Sequence, residues 1–428
     1  MYTETTYYAF PEEGEWAVRE VIMLTIDKFR DARAALSSVL WRTDLIDSSF
    51  FSKATGAHVY LKPENMQVTG SYKIRGAYYK ISTLPDTCKG LITSSAGNHA
   101  QGVAYAAQLR KIPATIVMPT TTPLMKVNNT KSYGAEVVLE GNIFDEAYKA
   151  ALRLGDEMGR TFIQPFNDTD VAAGQGTIAY EIIRDLPDVD IILVPIGGGG
   201  LAAGVSTLVK LLNPNVKVIG VEPKGAACMK ASLKAGYVAS LDKVETIADG
   251  VAVQTPGDQV FPYIQQNIDD IITIDDNELI DSFLDVMENH KMIVENAGLL
   301  SVAALKHLDL KGKNVVSILS GGNMDVITMS SLVSHGLVSR GRIFTFSVLL
   351  PDRPGELSRI AGIVAKERGN VIKLEHNQFI SVNRNSAVEL QVTLEAFGHD
   401  HADQILSALR AEGYAPEIIS HRGSTVTM

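Results

Sequence analysis

A lysine amine placed beside a tight turn can hold an aldehyde as a Schiff base, and Lys73 has that setting. It follows Gly70-Ser71-Tyr72 and opens an apparent helix through Ile74, Arg75, Gly76 and Ala77. Most lysines are solvated surface charges, so the position gains meaning only from what else the chain brings to it.

Two glycine-rich segments bear on it. Gly197, Gly198, Gly199 and Gly200 follow the apolar run Ile191-Ile192-Leu193-Val194-Pro195-Ile196 and precede Leu201, Ala202, Ala203 and Gly204. Strand, glycines and helix in that order turn backbone N–H groups toward a phosphate. Glycines keep side chains out of the way and allow positive φ. A flexible turn is the plainer alternative. A nucleotide-type loop needs Gly-Lys-Ser/Thr at its end, and Leu201 stands there. The second segment, Ser320-Gly321-Gly322-Asn323, ends the apolar run 314–319. A hydroxyl at the carboxyl end of a parallel strand can face a ligand in the crevice, though an ordinary turn fits the same residues.

These residues need a scaffold that gathers strand ends. Residues 91–93, 114–118 and 136–139 read as strands, and 100–109 and 145–158 as helices, with another helix opening near Pro123. The pattern resumes with strands at 216–221 and 314–319. Short strands alternating with helices predict parallel βαβ units with right-handed crossovers. After Asp325 the texture changes. A helix and linker over 326–342 lead to a strand at 342–350, a helix at 358–366, strands at 370–376 and 387–394, and a helix at 401–412. That order is the ferredoxin-like βαββαβ pattern.

Composition narrows the class. The chain has 428 residues, 46% of them apolar, which suits two or three domains with sizeable cores. Its net charge of −10 argues against nucleic-acid partners. Cys88 and Cys228 are the only cysteines and make no disulfide framework. The opening residues, 1–16, are acidic and aromatic, unlike a signal peptide, and no apolar run reaches membrane-spanning length. A cytosolic protein with no membrane partner is the expectation.

Lys73, the two glycine segments and Ser94-Ser95-Ala96-Gly97-Asn98-His99 together resemble the fold-type II pyridoxal-phosphate enzymes, and most closely the threonine dehydratase group, over about residues 30–325. The resemblance implies two doubly wound α/β lobes, with a small lobe at roughly 70–165 inserted in a catalytic domain over 23–325, after an N-terminal extension at 1–22. Pro351-Asp352-Arg353-Pro354-Gly355-Glu356-Leu357 resembles the turn of an ACT domain, an amino-acid-sensing module, placed at 343–421. A plain dimerisation module is the alternative there.

By the same resemblance Lys73 anchors pyridoxal 5'-phosphate, Tyr72 stands where phenylalanine is usual, and Asn98 contacts the phenolic oxygen. Gly197, Gly198, Gly199, Gly200 and Leu201 hold the phosphate, and Ser320 meets the ring nitrogen. Ser95, Ala96, Gly97 and His99 form the loop around the substrate carboxylate, with helix capping as the simpler role for Asn98 and His99.

Three departures stand out. Ala96 replaces the serine of related racemases that carries a second proton, which favours dehydration. Glu222 and Ala226 match part of a metal loop in which Cys228 replaces an aspartate, so Glu222 is either a ligand for a monovalent or divalent cation or an ordinary salt-bridged carboxylate. Glu295-Asn296-Ala297-Gly298 lacks the family's proline.

The implied activity is β-elimination of L-threonine to 2-oxobutanoate and ammonia, with some L-serine turnover. An amino-acid effector on the ACT-like module and a homo-oligomer, dimer or tetramer, go with it. L-serine dehydratase, serine racemase and a non-catalytic amino-acid-binding regulator are the alternatives.

Overall fold

The structure, a computed structural model, describes residues 23–377 and 388–419. The stretch 1–22 and, within 343–421, residues 378–387 and 420–421 lie outside the described residues. Two compact units divide the chain, Met1–Asp325 and Val326–Met428.

The first unit holds two sheets. The larger runs Ile46–Asp47, His58–Pro63, Asn314–Leu319, Ile191–Pro195, Lys217–Pro223, Asp270–Ile274. Only its first pair is antiparallel. The smaller sheet, all parallel, runs Glu136–Leu139, Ala114–Met118, Leu91–Ser94, Thr161–Phe162. It is inserted in the chain between two strands of the larger one. Leu91–Ser94, Ala114–Met118 and Ile191–Pro195 are buried at every position, as strands covered by helices on both faces must be. These are the parallel units the strand–helix alternation predicts, in the two lobes the resemblance implies. The helix expected at 100–109 begins earlier, at Asn98, and runs to Arg110.

The helix Lys73–Ser82 belongs to both lobes. Ile74, Ala77 and Ile81 lie in the small-lobe core. Tyr79, with Tyr72 just ahead of the helix, packs into the core of the larger lobe. Glycines let its neighbours approach at backbone distance: an added Cβ at Gly174, on helix Thr169–Asp185, meets the Arg75 carbonyl oxygen at 2.5 Å. At Gly204, on helix Gly200–Leu212, it meets the Ala172 carbonyl oxygen at 2.0 Å.

Beneath that helix lies a buried charge network. The Arg75 guanidinium donates to both Glu64 carboxylate oxygens, at 2.7 and 2.8 Å, and to Glu181 at 2.7 Å. Lys62 is paired to Glu181 from the other side, and the Thr43 hydroxyl donates to Glu64 at 2.7 Å. Two cations face two anions, and Arg75 and Glu64 are both 0% exposed. Arg75 and Lys62 hold the Glu181 carboxyl below its ordinary range against the opposing effect of burial.

The second unit opens with helix Val326–Ser339. Its antiparallel sheet runs Asn370–Asn377, Val388–Glu395, Ile343–Leu350, Glu417–Ile418. Phe346, Val348, Leu390, Val392 and Leu394 point from the sheet into a core closed by helices Glu356–Lys366 and His399–Ala411. The element order is βαββαβ. Among the described residues no helix is long and apolar enough to cross a membrane.

Removing one partner of a buried ion pair strands the other. Arg75→Met is expected to cost about 3–5 kcal/mol of stability, read as a lower denaturation midpoint. A loss below about 1 kcal/mol contradicts a tightly coupled network.

Candidate active site

The chain's early and late motifs meet through the backbone. Tyr72 N–H donates to the Ser320 carbonyl at 3.1 Å, Gly322 N–H to that of Gly70 at 2.9 Å, and Ser71 and Gly321 form an antiparallel bridge. Lys73 is thereby set beside the end of strand Asn314–Leu319. Its Nζ donates to the Pro165 carbonyl at 2.8 Å and lies 5.4 Å from the centre of the Tyr72 ring. Burial lowers the Lys73 pKa to about 8, and the negative charge of Glu295 opposes that fall. The amine is thus close to releasing its proton near neutral pH.

Helix Asn98–Arg110 presents its first turn to the same place, capped by Gly97 without a side-chain hydrogen bond. Ser95 Oγ accepts from Gly97 N–H at 3.2 Å. An added Cβ at Gly97 has nothing within 4 Å, so the loop is open on that side. Ala96 is half-buried against the small-lobe core. Asn98 and His99 are not caps. Asn98 Nδ2 donates to Glu295 Oε1 at 2.6 Å, and its Oδ1 accepts from Asn323 at 2.8 Å. His99 Nε2 donates to the Ile163 carbonyl at 3.0 Å. Burial, then the charge of Lys73, lowers the His99 pKa to about 3, so the ring is neutral. Its Nδ1 is a buried acceptor with no partner among the described residues.

The four glycines fill the turn between strand Ile191–Pro195 and helix Gly200–Leu212, with Gly199 at φ +105°. None has room for a side chain. An added Cβ at Gly198 meets the Phe166 ring at 2.2 Å, and at Gly197 the Val251 Cα at 2.9 Å. Among the described residues no acceptor takes the N–H of Gly197, Gly198 or Gly199. The Leu201 side chain is in the core, which leaves only its backbone for a ligand. Ser320 is 4% exposed, and no protein partner for its hydroxyl is found among the described residues.

This donor set suits one kind of group. Free N–H groups at a helix N-terminus suit a dianion, a near-neutral amine suits an aldehyde, and an unpaired hydroxyl suits a ring nitrogen. The buried hydroxyls of Thr69, Ser71 and Ser94 also lack partners among the described residues. A family model for pyridoxal-phosphate dependent enzymes matches residues 36–321. The chain belongs to this family, and its cofactor is pyridoxal 5'-phosphate. The chain is similar to the L-threonine ammonia-lyase of Thermotoga maritima, at 45% identity over 400 residues, 93% of this chain and 100% of that protein. Its fold is similar to the processed form of threonine deaminase isoform 2 from Solanum lycopersicum, with TM-score 0.70 and 40% identity, covering 72% of this chain and 87% of that one. Maize serine racemase matches with TM-score 0.69 and 35% identity, covering 73% and 98%.

Glu222 is placed apart from Lys73 in its contacts. Its two oxygens accept from Met229 N–H and Lys230 N–H, each at 2.8 Å, closing the start of helix Cys228–Ala235. Those bonds occupy the carboxylate on a helix end. Among the described residues no three His, Cys, Asp or Glu side chains gather as metal ligands. Burial raises the Glu222 pKa to about 7 and that of Cys228 to about 12.

Four contributors escape a motif reading. Pro165 holds the Lys73 amine, Phe166 lines the glycine turn, Glu295 accepts from Asn98, and Asn323 donates to it. Pro165 and Phe166 carry no signal of their own; Glu295 and Asn323 sit inside segments with a family likeness.

Gly198→Ala forces a methyl into the Phe166 ring and is expected to weaken cofactor retention at least about tenfold, measured by visible absorbance after dialysis. Full retention contradicts a phosphate seat at that turn. Between pH 4.5, the ordinary carboxyl value, and about 7 the folded chain keeps a proton on Glu222 that the unfolded chain has released. Stability therefore falls as pH rises through that window, and Glu222→Gln flattens the slope. An unchanged slope contradicts a buried, proton-holding Glu222.

Proposed function

We propose that the chain is an L-threonine ammonia-lyase, forming 2-oxobutanoate and ammonia, with some turnover of L-serine. One observation carries the reading: a single near-neutral amine, Lys73, meets a neutral hydroxyl, Ser320, and an open carboxylate loop in which Ala96 offers no second proton carrier. The 45% identity to the Thermotoga maritima L-threonine ammonia-lyase supports it.

When bound, pyridoxal phosphate supplies an aldehyde for amines and an electron-withdrawing ring that weakens the Cα–H bond of an attached amino acid. Lys73 would hold that aldehyde through its amine, and the freed amine is the base placed to take a proton from the substrate Cα. Pro165 O orients the amine at 2.8 Å. The N–H groups of Gly197, Gly198, Gly199, Gly200 and Leu201 would hold the phosphate, with Tyr72 packed beside Lys73. Asn98 would face the cofactor's phenolic oxygen, and Ser320 would offer its ring nitrogen a neutral hydroxyl, a partner that suits loss of a β-substituent. Ser95, Gly97 and the N–H groups opening helix Asn98–Arg110 receive the substrate carboxylate. The Ala96 methyl exchanges no proton, which disfavours racemisation, and the neutral His99 adds no charge beside the carboxylate.

The extra methyl of threonine sets a limit on selectivity over serine of about 10–200-fold. The C-terminal unit reads as an ACT-like module whose effector is an amino acid, isoleucine or valine. Its coupling to the catalytic unit is of the usual size, about 1–3 kcal/mol. A homo-oligomer, dimer or tetramer, fits a module of this kind. Glu222 is read as a helix-closing carboxylate.

Lys73→Ala is expected to lose the visible band of the bound cofactor and at least about 10²–10⁴-fold of oxo-acid formation from threonine. A variant that keeps both contradicts the assignment. Release of oxo acid from serine but not threonine contradicts the substrate.

A further inference from the structure

We propose that Glu295 is a positioning residue that holds the Asn98 amide toward the bound ligand, and that its charge state sets how strongly that amide donates. The inference rests on the proposed function for the identity of the ligand. Glu295 itself touches neither of the reacting groups named above; it acts through Asn98.

Glu295 is 7% exposed and its N–H donates to the Gly321 carbonyl at 3.0 Å, fixing the residue next to Ser320. Gly321 leaves space for its carboxyl: an added Cβ there meets Oε1 at 2.3 Å. Asn98 is pinned at both ends, with Nδ2 on Glu295 at 2.6 Å and Oδ1 on Asn323 at 2.8 Å. Asn323 in turn donates to the Thr69 carbonyl at 2.8 Å. An amide nitrogen has two N–H groups. One is spent on Glu295, and the other is the donor left for a ligand.

The charged and titratable groups facing Glu295 come from three further segments. Tyr72 and Lys73 lie at the start of helix Lys73–Ser82, Asp249 in the short helix Asp249–Val251, and Lys126 on helix Leu124–Ser132. Lys126 and Asp249 are paired at 3.0 Å. Burial and then Asp249 raise the Glu295 pKa to about 8, against Asn98, Lys126 and Lys73. At neutral pH the carboxyl holds its proton and accepts from Asn98 as a neutral group. Above that range it releases the proton to solvent, and the anion draws the Asn98 N–H more strongly. Hydrogen bonds to an ionised acceptor are roughly twice as strong as neutral ones, so the amide is pulled from the ligand.

The test follows the visible band of the full-length holoprotein and kcat/KM for threonine between about pH 6 and 10. The wild type is expected to show an inflection near pH 8 in both. Glu295→Gln keeps an oxygen for Asn98, so it retains neutral-pH turnover within about threefold but loses the inflection. Glu295→Ala loses the contact as well and falls about tenfold further. If Glu295→Gln does not fold, two surface variants decide. Asp249→Asn moves the inflection to lower pH, and Lys126→Met moves it to higher pH. A Glu295→Gln profile superimposed on the wild type, or surface variants that leave the midpoint still, overturns the proposal. Absence of both band and threonine turnover in the wild type is a different result and overturns the proposed function itself.

Discussion

The short backbone pairing of residues 70–72 with 320–322 is the constraint on which the site depends. It joins segments about 250 positions apart in sequence with two hydrogen bonds and a bridge. Lys73 begins its helix where that pairing ends, and Ser320 directly follows the end of strand Asn314–Leu319. Glu295 N–H takes the Gly321 carbonyl from the other side, so a third segment is registered on the same strand end. Closing so long a loop is entropically costly, and the packed lobes on either side offset it. The helix Lys73–Ser82 divides its apolar face between both cores, and Arg75 nails its underside to Glu64 and Glu181.

Neutrality is the second organising feature. The Lys73 amine donates to a neutral carbonyl, that of Pro165, and His99, which feels its charge, is itself neutral. In the network of Lys62, Glu64, Arg75 and Glu181, each full charge faces an opposite one. Buried, with few charges nearby, an amine loses solvation and gives up its proton more easily. Glu295 is a carboxyl set at the same site, and burial drives it toward the uncharged form.

Much of this was legible in the sequence, for stated physical reasons. Strands buried on both faces read as unbroken apolar runs, so Leu91–Ser94, Ala114–Met118 and Asn314–Leu319 were recognisable. Glycines in a row marked the turn before helix Gly200–Leu212, since few other residues tolerate such crowding. Alternation in Ile343–Leu350 gave the antiparallel strand of the second unit. Pro165 was not legible, because it contributes a carbonyl, and every residue has one. Phe166 was hidden for a similar reason: an aromatic in a loop carries no mark of the turn it covers. The role of Glu222 depended on where its oxygens point, and only the register of helix Cys228–Ala235 shows them on Met229 and Lys230. Glu295 lay in a recognisable segment, but its partner, Asn98, is 197 residues away.

Every chemical role assigned to this chain turns on which nitrogen carries the cofactor. Borohydride reduction of the holoprotein, followed by proteolysis and mass mapping, makes that link permanent and locates it. Label on the peptide holding Lys73, and on no other lysine, is the predicted result. Label on another lysine, with Lys73 recovered unmodified, contradicts it.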